Sequence, residues 1–127
     1  MAEGFLKFFN PELEVFSAGT KAEKNVNPFA IKVMAEKGID ISAQSPKSVD
    51  EFLETSFDFV ITVCDGAKEI CPVFTGKVQN RLHIGFEDPA DAIGTEEEKL
   101  IVYRKVRDQI QEEFYAFCIR YKLVATQ

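Results

Sequence analysis

A chain of 127 residues and 14.3 kDa is one domain of ordinary size, long enough to bury about two-thirds of its unfolded surface around a single core. Apolar residues make up 46% and charged residues 28%, which excludes a disordered tail, and no apolar run approaches the ~20 residues of a bilayer helix, so no membrane association is expected. Net charge is −6, and no stretch gathers the Lys and Arg that would release many counterions from a phosphate backbone, so no nucleic-acid partner is expected.

Ala2, Phe5, Leu6 and Phe9 fall at helical spacing, and Asn10-Pro11 closes that helix because Pro disfavours αR in the residue before it. Glu14-Val15-Phe16 then reads as a short strand ending at Ser17-Ala18-Gly19. Asn27 and Pro28 suit the N-cap and first position of a helix whose buried side is Ala30, Ile31 and Met34 and which Gly38 stops. A further short helix is expected from Ser48, with Glu51 at capping-box spacing ahead of Phe52 and Leu53. The run Asp58 to Cys64 is almost continuously apolar, as in a parallel strand covered on both faces. Arg81 to Phe86 alternates, with Leu82, Ile84 and Phe86 on one side. Thr95 and Glu98 form another capping pair, and Tyr103, Val106, Ile110, Phe114, Phe117 and Tyr121 follow at spacings of three and four, which predicts a long amphipathic C-terminal helix. Helices alternating with strands make the class α/β with a mostly parallel sheet.

Cys64 stands at the carboxyl end of the buried strand, where open α/β sheets collect their ligands, and Cys71 follows seven positions on, before Pro72. Seven helical positions span about 10 Å, whereas a disulfide needs Cα atoms roughly 4.4–6.8 Å apart. A bond between these two would therefore require local unravelling, and Gly66 lowers the helical stability of the segment. The other reading is two buried thiols used as small hydrophobes. Cys118, beside Phe114 and Phe117, reads as packing, and the lone His83 as a strand residue with a polar edge. Asp88, before Pro89, is either a turn former or a carboxylate delivered to the same end of the sheet. Three cysteines without a signal peptide argue for a reducing, cytoplasmic setting. Zinc is not expected.

Taken together, MAEGFLKFF, EVFSAGT, NPFAIKVMAEKGIDIS, FDFVITVCDGAKEICP and HIGFEDPAD resemble the thioredoxin-coupled arsenate reductases, which share the low-molecular-weight tyrosine phosphatase fold. The match runs through the whole chain, in order. Two features favour the reductase branch: Cys64 paired with Cys71, and Ala90 where the phosphatases carry an aromatic residue. The resemblance implies a three-layer α/β/α domain over residues 1–127 and a relay of three thiols. A loop cysteine attacks arsenate, the thiol at Cys64 attacks the adduct and releases arsenite, and the thiol at Cys71 then leaves a Cys64–Cys71 disulfide for thioredoxin to reduce. Asp88 resembles the general acid that protonates the departing oxygen. Glu3 and Ser17 match positions that help bind a potassium ion in part of the family, and Lys47 falls where an ammonium would replace that ion. No other cofactor is implied.

The sequence departs from the family at its start. There a strand and a Cys-x5-Arg-Ser loop precede the segment resembling MAEG, and the strand is central, between those matching Glu14–Phe16 and Asp58–Val63. The expectation is therefore a domain lacking its first strand and its first nucleophile, inactive as written. Orphaned strand edges cost about 1–3 kcal/mol per buried unsatisfied group, so the chain is expected to be poorly stable, to aggregate, or to borrow a strand by oligomerising. Two other readings stay open: a non-enzymatic redox module keeping Cys64 and Cys71, and a phosphatase of the same fold.

Overall fold

The computed structural model describes residues 1–17, 27–44, 51–64, 76–87 and 89–123. Helix α1, Ala2–Phe9, buries Gly4, Phe5 and Leu6. It ends as Asn10-Pro11 requires: Asn10 is extended at φ −149° and its N–H donates to the Leu6 carbonyl. Helix α2, Pro28–Ala35, starts on the Asn27 side chain, which accepts from the Phe29 N–H at 2.8 Å. Gly38 at φ +75° turns the chain out of it in the left-handed region where glycine carries no Cβ penalty. Its buried edge is Ala30, Val33 and Met34, so Val33 takes the place expected of Ile31, which is half-buried. Residues 33 and 34 lie three and four beyond 30 and share its face; residue 31 is turned about 100° away.

Strand β1, Phe57–Cys64, and strand β2, Val78–Phe86, form a parallel pair. β2 starts three residues before the alternation predicts, because Phe57 already pairs with Val78. Its even-numbered residues face inward, with Leu82, Ile84 and Phe86 on that side as expected. β1 is half-buried rather than covered on both faces, and Val63 is 41% exposed. Phe59 reaches Phe117 and Tyr121 at ring-centroid distances of 5.2 and 5.0 Å, which anchors one face of the strand.

The expected strand Glu14–Phe16 is not formed. These residues carry no ladder among the described residues, and a strand exists only where a neighbour accepts its hydrogen bonds. Phe16 instead sets its ring tilted against Phe52 and edge-on to Phe57, at centroid distances of 5.4 and 6.2 Å. The helix expected from Ser48 begins outside the described residues, and residues 51–55 form turns.

Helix α3, Glu96–Arg120, is capped by Thr95, whose Oγ1 accepts from the Glu98 N–H at 3.2 Å. Tyr103, Val106, Ile110, Phe114 and Phe117 are buried, as their spacing predicts. α1, α2 and β2 all pack against α3. The fully buried side chains Phe5, Val33, Met34, Ile41, Val106, Phe114 and Cys118 form the centre of the core. The described residues thus show a parallel sheet and one group of helices joined by α3.

Candidate active site

The parallel pairing of β1 and β2 brings their carboxyl ends to the same end of the sheet. Cys64 closes β1 and is in register with Phe86, which closes β2, so the chain leaves both strands at the same end of the sheet, β2 into Glu87. Between the pairs Thr62–His83 and Cys64–Phe86, β2 accommodates one extra residue. Such a bulge bends a strand locally and is common where side chains are re-aimed at a strand end. Glu87 is held by Lys105 of α3, Nζ to Oε1 3.2 Å, which ties the exit of β2 to the helix. Cys71, Asp88 and Lys47 lie outside the described residues.

Glu3 and Ser17 come together although fourteen positions separate them. Ser17 Oγ donates to Glu3 Oε1 at 2.8 Å, and Lys7 Nζ lies 3.2 Å from Oε2. The Met1 amino group is buried, which pulls its pKa below the ordinary value, and the Glu3 charge opposes that shift. The pair offers two hard oxygens of the kind a monovalent or divalent hard cation takes, while Lys7 already balances one of the carboxylate oxygens.

His83 is an exposed strand residue, as expected, but the sequence reading missed its partner: Nδ1 lies 2.7 Å from Thr62 Oγ1. Cross-strand neighbours on one face meet this way, and the signal became readable only with the register. Cys118 is fully buried and desolvation raises its thiol pKa, so it is a packing residue and a poor nucleophile. Arg107 was also missed. It lies four positions beyond Tyr103 on the apolar stripe of α3, is 7% exposed, and donates from Nη1 to the Val33 carbonyl at 3.0 Å and to Glu36 Oε1 at 2.6 Å. An arginine within an apolar stripe was the available signal, since a buried charge requires partners.

Residues 1–125 match the family described as low molecular weight phosphotyrosine protein phosphatase. An arsenate reductase of Halalkalibacterium halodurans is 46% identical over 118 residues, covering 92% of this chain and 84% of the relative. One of Bacillus subtilis is 43% identical with the same coverage. Among solved structures, an arsenate reductase in the phosphate binding state superposes with a TM-score of 0.75 at 30% identity, covering 94% of this chain and 86% of that one. An arsenate reductase in the reduced state gives 0.72 at 30% identity, with the same coverage. The chain belongs to the low molecular weight phosphotyrosine protein phosphatase family, among relatives that carry the name arsenate reductase.

Proposed function

We propose that this chain carries the disulfide-forming half of a thioredoxin-coupled arsenate reductase acting in the cytoplasm. The observation that carries the reading is the register of Cys64 with Phe86, two positions before Asp88, in a chain 46% identical to a named arsenate reductase. On this reading a first thiolate displaces an oxygen from arsenate, and Asp88 protonates the oxygen as it leaves. The Cys64 thiolate attacks the sulfur of that adduct; the electron pair of the S–As bond goes to arsenic, which leaves as arsenite. Cys71 attacks Cys64 in the resulting mixed disulfide, frees the first thiol, and completes a Cys64–Cys71 bond. Thioredoxin's dithiol then supplies two electrons and two protons and becomes oxidised itself.

No cysteine of this chain is followed by Arg six positions on, so the first nucleophile and its oxyanion grip are not among these residues. Arsenate turnover by the 127 residues alone is therefore expected to be absent. That same observation favours the second reading, a redox module with a reducible pair and no substrate. Glu3 Oε1 and Ser17 Oγ would be the donors to a potassium ion, which would supply positive charge beside the loop; Lys47 is the alternative source of that charge.

Mild oxidation followed by peptide mass spectrometry tests the pair. The expected result is a Cys64–Cys71 crosslink that reduced thioredoxin reopens and that Cys64→Ser abolishes, with Cys118 unmodified. A crosslink involving Cys118, or no crosslink, sinks the relay. Arsenate-dependent oxidation of reduced thioredoxin by the same chain would overturn the expectation of inactivity.

A further inference from the structure

From Phe57–Val78 to Thr62–His83 the partners of β1 and β2 keep one offset, and then the register slips beside Cys64. In an unbroken register Gly85 would stand opposite Cys64; Phe86 does so instead, so β2 has run ahead by one residue. An extra residue of this kind is left unpaired and disrupts the ladder locally. The two sides of the break are held very differently. On β2, Phe86 is 8% exposed and its ring stacks on that of Phe114, with centroids 6.1 Å apart and planes at 24°, while Glu87 is paired with Lys105. That strand end is therefore fixed to α3 at two successive residues. On β1, Val63 is 41% exposed, so little apolar burial is lost when the strand end moves.

Immediately before the break, β1 is pinned to β2 by a side chain. Thr62 Oγ1 lies 2.7 Å from His83 Nδ1 and 3.4 Å from the Leu82 carbonyl oxygen. Both contacts cross between the strands, so both are lost only if separation passes Thr62. Behind Thr62 the strand has more to lose: Ile61 and Phe59 pack against the core, and the Phe59 ring meets those of Phe117 and Tyr121. The cost of parting β1 from β2 is thus low at Val63 and Cys64 and rises at Thr62.

We infer that the ladder break is a hinge on which Cys64 leaves the sheet when its disulfide closes, and that Thr62, held by His83, is the positioning residue that stops the opening there. The inference rests on the relay proposed above, in which Cys64 bonds Cys71. A disulfide fixes its two Cα atoms roughly 4.4–6.8 Å apart, so the backbone at Cys64 has to follow its partner. With the hinge, only Val63 and Cys64 give way. Phe86 and Glu87 stay on α3, and the residues leading into Asp88 keep their anchor through the redox cycle.

Oxidised glutathione closes the pair in vitro: the Cys64–Cys71 bond forms, two electrons and two protons of the dithiol pass to the glutathione disulfide, and two glutathione thiols result. Backbone NMR of the chain before and after closure tests the hinge, and strand-type Cα shifts along β1 in the dithiol form show that each variant folds. The expected result is loss of those shifts at Val63 and Cys64 alone, with Phe59 to Thr62 and His83 to Glu87 unmoved. In Thr62→Val, which keeps the β-branched shape without the hydroxyl, the loss spreads back to Ile61 and Phe59. Thr62→Ser, which restores the hydroxyl, returns the limit to Val63. Strand shifts retained at Val63 and Cys64 in the disulfide form overturn the proposal, and so does a limit that ignores Thr62→Val. Failure of the pair to close at all overturns the relay itself, and the hinge with it.

Discussion

Glu36, at the C-terminal end of α2, is the most heavily partnered carboxylate among the described residues. Arg104 grips it through Nε, 3.1 Å from Oε1, and Nη2, 2.9 Å from Oε2, while Arg107 Nη1 lies 2.6 Å from Oε1. The hydrogen bond from Arg104, then that from Arg107, holds its pKa down at about 2 against an ordinary 4.5. A carboxyl whose folded pKa is depressed contributes its stability in full above the ordinary value and loses it as pH falls through the folded one. The difference in stability between the parent and Glu36→Gln should therefore be constant above pH 4.5 and shrink steadily toward pH 2, as read by denaturant melts across that range. A difference that does not change with pH would remove Glu36 from acid stability. Arg107→Ala should cost more than Arg104→Ala, because Arg107 is buried and its loss leaves the Val33 carbonyl without its guanidinium partner; about 1–3 kcal/mol is expected. Equal costs for the two variants would show that the buried hydrogen bond adds nothing.

At the scale of elements, β2 is launched by a backbone contact that only glycine permits. A Cβ on Gly76 would fall on the Thr55 carbonyl oxygen, and the Glu54 carbonyl oxygen is 2.8 Å away. Neither side can withdraw freely, since the Gly76 N–H donates to Leu53 O at 3.3 Å and the Phe57 N–H donates to Lys77 O at 2.8 Å. Gly76→Ala should therefore destabilise by about 1–3 kcal/mol, and Thr95→Ala by about 1 kcal/mol through loss of the α3 cap. Chemical denaturation checks both, and an unchanged midpoint in Gly76→Ala would mean that the turn can reopen. The Thr95 cap was legible in the sequence and the Gly76 contact was not, and the reason is distance along the chain. Asn10-Pro11, Asn27-Pro28 and Thr95 with Glu98 act within one turn of a helix, so their residues alone place the helix ends. Glu14–Phe16 has β-forming residues, but pairing is decided by a neighbouring strand that no local pattern encodes. The candidate site divides the same way. Cys64 was placed by the end of an apolar run, whereas Glu3 meeting Ser17 was legible only through resemblance to a family.

For the molecule as a whole, the burial is unevenly shared. Of the fifteen buried apolar residues among those described, seven lie on α3 and five on α1 and α2, two more in the turn at Ile39 and Ile41, and Phe86 alone on the sheet. β1 offers half-buried side chains and an exposed Val63. Local stability follows buried apolar contact, because a segment opens without the rest when few such contacts are lost with it. The helical layer should therefore be the last part to open and the sheet an earlier one, which inverts the usual order in α/β domains with a sheet covered on both faces. Amide hydrogen exchange of the native chain reads this directly. Amides from Tyr103 to Cys118 are expected to exchange most slowly, at rates set by global unfolding, and those of Phe59 to Val63 at least tenfold faster, a difference of about 1.4 kcal/mol in opening free energy. Equal protection in β1 and α3 would show that strand and helix unfold together, and that the parallel pair is held by contacts as extensive as those of the helical core.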